Sequence, residues 1–290
     1  MSHDAAPLFA GWEKGMILSC LQGHMGQVRT GGGHPPESAL CAIGDFCFFA
    51  GRPDPALVRQ ADRPLLVPRT GDWAPVIRAV WGRRAVPFLR YALCGAPEDF
   101  DRDRLAAFAA ALPPGFSLSP ILAGHYPLLT AQDWSRDLCG NFRDGPDFAR
   151  RGLGVIALRD GVPAAGASSY AVWDGGIEIQ IDTRPDLRRR GLALSCGARL
   201  ILTCLDQGLL PSWDAHDRRS AALAEKLENL RYELEDVAEL LRDQKESLEF
   251  SPEELDELEG RLDVIYRLRK KYGNTVEEML DYLSRCRKEL

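Results

Sequence analysis

Residues 177–193, with the sequence IEIQIDTRPDLRRRGLA, decide the fold that we expect for this chain. The first six residues alternate apolar and polar side chains, which predicts a strand with one buried face. Pro185 then breaks the strand, because proline restricts its own backbone and that of the residue before it. Apolar residues at helical spacing follow Gly191 as far as Leu205. The stretch therefore predicts a strand, a short turn and a helix.

The junction between this strand and this helix has the features of an anion-binding site. The first N–H groups of a helix have no partner inside it, and the helix dipole favours negative charge beside them. Gly191 allows a ligand to approach the backbone closely, and three arginines, Arg188 to Arg190, precede it. The alternative is an ordinary turn between a strand and a helix, with a solvated arginine cluster.

The run Arg188-x-x-Gly191-x-Ala193 resembles the pyrophosphate loop [Q/R]-x-x-G-x-[G/A] of GNAT-type acetyltransferases. Two further blocks, GDFCFFAG at 44–51 and PSWDAHDRRSAALAEKL at 211–227, resemble a bacterial GNAT subfamily that has its own N-terminal domain. The resemblance runs from about residue 16 to residue 227. It implies an α/β fold with an acyl-CoA N-acyltransferase core, in which two neighbouring parallel strands part and hold the pantetheine arm of acetyl-CoA between them.

The same resemblance implies the site residues. Glu178, on the predicted strand, is the candidate general base, directly or through water, because an amine nucleophile must lose a proton. The alternative for Glu178 is the polar, solvent-facing side of a strand. Asp214, Asp217 and Ser220 fall where the family lines the cofactor arm or caps the last helix, and a plain N-cap is the simpler role for Asp217. The implied cofactor-binding residues are Ile181, Asp182, Thr183, Arg188, Arg189, Arg190, Gly191, Leu192, Ala193, Asp217 and Ser220.

Local signals predict the elements around this stretch. Ala39 to Ala50 is an almost continuous apolar run, typical of a strand buried on both faces. Arg159-Asp160-Gly161 is typical of a hairpin turn. Gly208 is a natural C-cap for the helix that begins at Leu192. The further expected elements are a helix at 101–111, strands at 152–158, 162–173 and 209–214, and a helix up to Leu227.

Composition limits the classes of function. The net charge of −6 argues against general affinity for nucleic acid. The histidines are scattered without the spacing of metal ligands, so no metal is expected. The eight cysteines include no Cys-x-x-Cys pair, which favours a reduced compartment. Neither a secretory signal nor an apolar run of about 18 residues is found, so we expect a cytoplasmic protein without a membrane partner.

The sequence departs from the GNAT pattern after Leu227, where the family continues with Gly-Tyr or Gly-Phe and two closing strands. Residues 228–290 contain 11 basic and 18 acidic residues, and their apolar positions begin with heptad spacing, which predicts a coiled coil. Ser251-Pro252 and Thr275 begin two further predicted helices. Blocks from about residue 224 to residue 290 resemble the coiled-coil arm of RecN-type DNA-repair ATPases, although the chain has no Walker motif.

We therefore interpret the chain as a chimera of an N-terminal α/β domain (1–130), a GNAT core without its closing strands (131–227) and a helical coiled-coil tail (228–290). The expected function is transfer of an acetyl group from acetyl-CoA to a small amine. We expect impaired activity, because the strand at 209–214 becomes an exposed edge unless the tail covers it. The alternative is a non-catalytic interaction module whose tail drives self-association. Direct DNA binding is disfavoured because the tail is acidic.

Overall fold

The computed structural model describes residues 2–12, 14–93, 96–215, 218–227, 252–273 and 275–289. The chain divides into two units, Met1–Leu230 and Arg231–Leu290. The first unit contains two β-sheets, and the described part of the second contains two helices. Among the described residues, no helix combines the length and apolar character that crossing a membrane requires.

A four-stranded sheet lies in the N-terminal half of the first unit, with strand order β1-β2-β3-β4. The first three strands are antiparallel neighbours, and β4 runs parallel to β3. The strands are β1 (Gln27–Gly31), β2 (Ser38–Ile43), β3 (Phe46–Gly51) and β4 (Leu65–Pro68). The accompanying helices are α1 (Ser2–Phe9), α2 (Gly15–Leu21), α3 (Pro55–Arg59) and α4 (Trp73–Trp81).

The apolar run from Ala39 to Ala50 forms a hairpin of β2 and β3, so the prediction of one continuous strand is wrong. Gly44, with φ of 51°, provides the turn, because glycine adopts positive φ without a steric penalty. A Gly-Asp pair between apolar runs is itself a hairpin signal. The predicted burial on both faces is confirmed, since all six residues of β2 and five of the six in β3 are buried.

A six-stranded sheet forms the rest of the first unit, with strand order β5-β10-β9-β8-β7-β6. Among the strands that the structure describes in this sheet, β9 and β10 form the one parallel pair. The strands are β5 (Tyr91–Leu93), β6 (Ser117–Pro120), β7 (Gly154–Arg159), β8 (Val162–Trp173), β9 (Gly176–Thr183) and β10 (Leu210–Ala215). The helices are α5 (Arg102–Ala110), α6 (Tyr126–Thr130), α7 (Gly145–Arg151), α8 (Leu192–Asp206) and α9 (Arg218–Leu227).

Strand β10 is not an exposed edge, which corrects the expectation drawn from the missing closing strands. Trp213, Asp214 and Ala215 pair with β5, so β10 has a neighbour on each side. Strands β5 and β6 come from residues assigned to the predicted N-terminal domain, yet they belong to this sheet. The boundary at residue 130 stays a prediction.

Strand β9 lies in the middle of the sheet with helices on both faces. Helix α8 packs on one face, where Leu192, Cys196 and Leu200 are buried. Helix α2 contacts β2 as well as β8 and β9, so it lies between the two sheets. A Cβ at Gly15 would lie 2.2 Å from the Trp173 ring, which shows how closely the start of α2 approaches β8. The polar face of β9 therefore looks toward the N-terminal half of the unit.

The second unit is described by α10 (Pro252–Tyr272) and α11 (Val276–Glu289). The backbone N–H of Glu278 donates to the Thr275 hydroxyl at 3.2 Å, a cap at the start of α11. The rings of Tyr272 and Tyr282 lie 5.3 Å apart and join the two helices. The predicted heptad seam begins at Leu227, and its other members, Leu230, Leu234, Val237 and Leu241, lie outside the described residues.

Candidate active site

Strands β9 and β10 pair for only three residues and then part. The register joins Leu210 to Gly176, Pro211 to Ile177 and Ser212 to Glu178. Beyond this point β10 pairs with β5 on its other side, whereas β9 continues to Thr183 beside β8. Within the described chain, residues 179–183 of β9 therefore have a strand partner on one side only. A gap opens between the two strands from Glu178 onward.

The backbone of β9 presents polar groups to this gap. The Gly175 carbonyl accepts from Leu210 N–H at 2.8 Å on the β10 side, and Arg184 N–H donates to Ala164 at 3.0 Å on the β8 side. Because backbone groups of successive residues in a strand face opposite sides, the odd-numbered residues face the gap. The backbone N–H and C=O groups of Ile181 and Thr183 therefore face the gap, where they could pair with an extended ligand that contains amide groups. The backbone groups of Asp182 face β8 instead.

The loop between β9 and α8 lies at the open end of the gap. Arg188, Arg189 and Arg190 are exposed, and the Arg188 Nε group lies 3.4 Å from the Thr183 carbonyl, where it donates. Arg189 and Gly191 both have positive φ, 63° and 84°, and a Cβ at Gly191 would meet nothing within 4 Å. The turn therefore leaves free space in front of the first N–H groups of α8, which have no intrahelical partner.

Glu178 is buried at the point where the strands part, with 4% of its surface exposed. Ser212 is its register partner on β10, and Asp214 follows two residues later on the same face of that strand. Burial, followed by the negative charge of Asp214, raises the pKa of Glu178 to about 7, although Ser212 and Lys14 oppose the rise. The interpretation of Glu178 as a solvent-facing residue is wrong, because α2 and the N-terminal half cover that face.

Two cations neutralise the Asp214 carboxylate beside Glu178. Arg90 Nε donates to Asp214 Oδ1 at 2.6 Å, and Lys14 Nζ lies 3.5 Å from Oδ2. The guanidinium of Arg90 also lies 4.9 Å from the centre of the Phe46 ring. Sequence reasoning missed Lys14 and Arg90, since each comes from a distant segment and neither belongs to a motif.

The chain's similarity to known proteins agrees with this geometry. Residues 6–234 match the family model described as GNAT acetyltransferase. The chain belongs to the GNAT acetyltransferase family. A solved structure, the GCN5-related N-acetyltransferase-like protein from Streptococcus suis 89/1591, is 40% identical, with a TM-score of 0.75 over 78% of this chain and 93% of that one. The uncharacterized N-acetyltransferase YdfB of Bacillus subtilis is 33% identical over 82 residues, 28% of this chain and 31% of that protein.

A second similarity is to DNA repair protein RecN. The Treponema pallidum protein is 38% identical over 107 residues, and the Bacillus subtilis protein is 41% identical over 68 residues. These segments cover 37% and 23% of this chain but only 19% and 12% of the two RecN proteins. The chain thus spans a fifth or less of the length of these relatives.

The structure brings most of the residues predicted for the GNAT site together. Ile181 and Thr183 border the gap, Arg188 to Gly191 form the loop, and Leu192 and Ala193 begin α8. Ser220 lies in the first turn of α9, which contacts β10. Asp217 lies outside the described residues. No group of three potential metal ligands occurs in the described parts of the chain.

The far end of the polar face of β9 is acidic. Gln180 Nε2 donates to Asp182 Oδ2 at 2.8 Å. Burial, followed by the charge of Asp137, raises the pKa of Asp182, and burial with the charge of Asp45 does the same for Asp137. Asp45 is held in place because its backbone N–H donates to the Tyr170 hydroxyl at 2.7 Å. The tip of the β2–β3 hairpin therefore lies close to the gap between β9 and β10.

Proposed function

We propose that this protein transfers the acetyl group of acetyl-CoA to an amine. The observation that supports the proposal is the parting of β9 and β10 directly after Glu178 and Ser212, in line with the open loop at residues 188–191. The pantetheine amides would pair with the gap-facing backbone of Ile181 and Thr183. The pyrophosphate would bind at the first N–H groups of α8, with Arg188 adding positive charge.

The site would act mainly by positioning and by handling one proton. The amine nitrogen attacks the thioester carbonyl, a C–N bond forms, the C–S bond breaks, and coenzyme A leaves as the thiol after taking up a proton. Glu178 would accept the proton that the amine loses, directly or through water. A pKa of about 7 suits that role, because the group is then partly ionised at neutral pH and readily protonated.

Titration with acetyl-CoA tests this proposal. Isothermal titration calorimetry of the full chain should show one site per chain, and circular dichroism should confirm that the sample is folded. A folded sample without measurable binding overturns the proposed function. The expected impairment of activity no longer has its physical reason, because β5 covers the side of β10 that was thought to be exposed.

A second candidate function concerns the C-terminal unit, for which we propose coiled-coil self-association. On α10, Leu262 and Ile265 are 61% and 50% exposed, and they lie three residues apart as in a heptad seam. The similarity to RecN segments supports a separate ancestry for this unit, as in a chimera. Sedimentation analysis of the full chain and of a chain ending at Leu230 tests the idea. An equal number of chains per complex in the two samples would contradict it.

A further inference from the structure

A cavity of about 820 Å³ opens beside the candidate active site, on the side of the N-terminal sheet. Strand β4, helix α4 and the segment 84–90 form its walls, and Lys14 and Asp214 line it as well. Asp214 lies two residues after Ser212, the register partner of Glu178, and on the same face of β10, so this end of the cavity borders the buried carboxylate. A molecule in the cavity would therefore lie next to the point where β9 and β10 part.

The walls of the cavity are largely apolar. Leu65 and Val67 come from β4, Ile77 and Trp81 come from α4, and Phe88 comes from the following segment. Phe88 and the neighbouring Val86 are 56% and 72% exposed, an unusual degree for large apolar side chains. Such walls favour a ligand with an apolar body, because binding removes apolar surface from water on both sides.

The charge on the lining is strongly positive. Five cationic side chains face a single carboxylate, that of Asp214, which already binds Lys14 and Arg90. A third cation, Arg63, is also paired, because its Nε atom lies 3.6 Å from Asp62 Oδ1. Within the described parts of the chain, neither Arg78 nor Arg84 has an ion-pair partner, and Arg84 lies over the Trp81 ring at 4.6 Å. The lining thus leaves positive charge on arginines, whose planar donor sets match carboxylate and phosphate groups.

We propose that this cavity binds the acetyl acceptor, and that the acceptor is an amine with an apolar body and an oxyanion. The inference rests on the proposed acetyltransferase function. The amine lies at the Asp214 end, within reach of the acetyl group and of Glu178. The apolar body contacts the walls from β4 and α4, and the oxyanion binds Arg78 and Arg84.

Matched pairs of amines test the inference in the full chain. One pair is L-phenylalanine with phenethylamine, and a second is 8-aminooctanoate with octylamine, so that each pair differs only in the carboxylate. The phosphonate analogue of phenylalanine separates carboxylate from phosphate recognition. Two measurements are made, release of coenzyme A from acetyl-CoA and calorimetric binding of each amine in the presence of coenzyme A. The test variant combines Arg78→Gln with Arg84→Gln in one chain. Arg83→Gln serves as the control variant, because Arg83 adjoins Arg84 and is exposed but does not line the cavity.

We expect the anionic member of at least one pair to be favoured by about tenfold or more in kcat/KM or in affinity. The double variant should lose that preference, and the control variant should keep it. If acetyl-CoA binds and no pair shows the preference in either measurement, the inference is overturned while the proposed function stands. A preference that survives in the double variant also overturns it. Absence of acetyl-CoA binding overturns the proposed function itself.

Discussion

Glu178 and Ser212 form the last register pair between the parallel strands β9 and β10, and Ser212 opposes the rise that burial causes in the pKa of Glu178. The same pair therefore marks the beginning of the gap and carries its buried acid. From Trp213 onward β10 pairs with β5, and β9 continues beside β8 to Thr183, with no further register pair between β9 and β10 in the described chain. The sheet topology thus places a titratable group at the inner end of a cleft.

Replacing Glu178 by glutamine should slow catalysis without weakening cofactor binding. Because burial raises the pKa of Glu178 to about 7, the base form predominates above that pH, and the wild-type rate should rise as pH increases through 7. In Glu178→Gln, kcat should fall by about 10²–10⁴-fold and the rise near pH 7 should disappear. The pH dependence of coenzyme A release, together with calorimetry of acetyl-CoA, checks this. An unchanged pH profile in the variant would exclude Glu178 as the base.

Neutralising Asp214 should shift the same titration to lower pH. The Asp214 charge raises the pKa of Glu178, and in Asp214→Asn the cations Lys14 and Arg90 remain beside the acid. The pKa of Glu178 should therefore decrease, and the rise in rate should begin at a lower pH than in wild type. Rate measurements across pH 5 to 9 test the direction, and a shift to higher pH contradicts this account of the electrostatics.

Alanine substitutions at Gly191 and Gly161 distinguish a loss of cofactor binding from a general effect of backbone strain. Gly191 and Gly161 have φ of 84° and 79°, and an added Cβ at either position meets nothing within 4 Å. Alanine at each should cost about 1 kcal/mol of stability, because L residues disfavour left-handed backbone. Only Gly191→Ala should also weaken acetyl-CoA binding, by about tenfold or 1.4 kcal/mol. Equal affinities of the two variants would mean that residues 188–191 do not bind the cofactor.

Asp147 should be a strong contributor to stability at neutral pH. Its carboxylate accepts from Arg151 at 2.6 and 3.0 Å and from Arg150 at 2.6 Å, and 5% of the side chain is exposed. Arg151 also donates to the His24 carbonyl at 2.9 Å, which ties α7 to the segment before β1. Asp147→Asn should lower the free energy of unfolding by about 3 kcal/mol, as expected when a buried charge loses its partner.

The pH dependence of that stabilisation has a definite sign. Arg151, followed by other partners, lowers the pKa of Asp147 to about 2 from its ordinary 3.8. The contribution is present above pH 3.8 and decreases as pH falls toward 2, and it should be missing in Asp147→Asn. Denaturant unfolding at several pH values measures it. Asp133→Asn is the control, because Asp133 binds Arg136 with 95% of its side chain exposed, and it should change stability by less than about 0.5 kcal/mol.

Elements with strong local signals were predicted well from the sequence. The strand from Val162 to Trp173 has the predicted limits, and the helix from Leu192 to Asp206 begins at the predicted residue and ends two residues before the expected cap at Gly208. The turn at Asp160 and Gly161 has the positive φ values, 52° and 79°, that a tight hairpin requires. The apolar run at 39–50 was the exception. Apolar residues continue on both sides of Gly44, so hydrophobic periodicity alone does not indicate a turn there.

The sequence by itself determined the strand, open turn and helix at 176–206 and the line of polar residues on β9, because alternation, proline and glycine act on neighbouring residues. Tertiary structure alone decided that β5 pairs with β10, that Glu178 is buried, and that Lys14 and Arg90 meet at Asp214. The physical reason is that burial and charge pairing depend on which distant segments the two sheets bring together. Neither leaves a pattern in the residues around Glu178 itself.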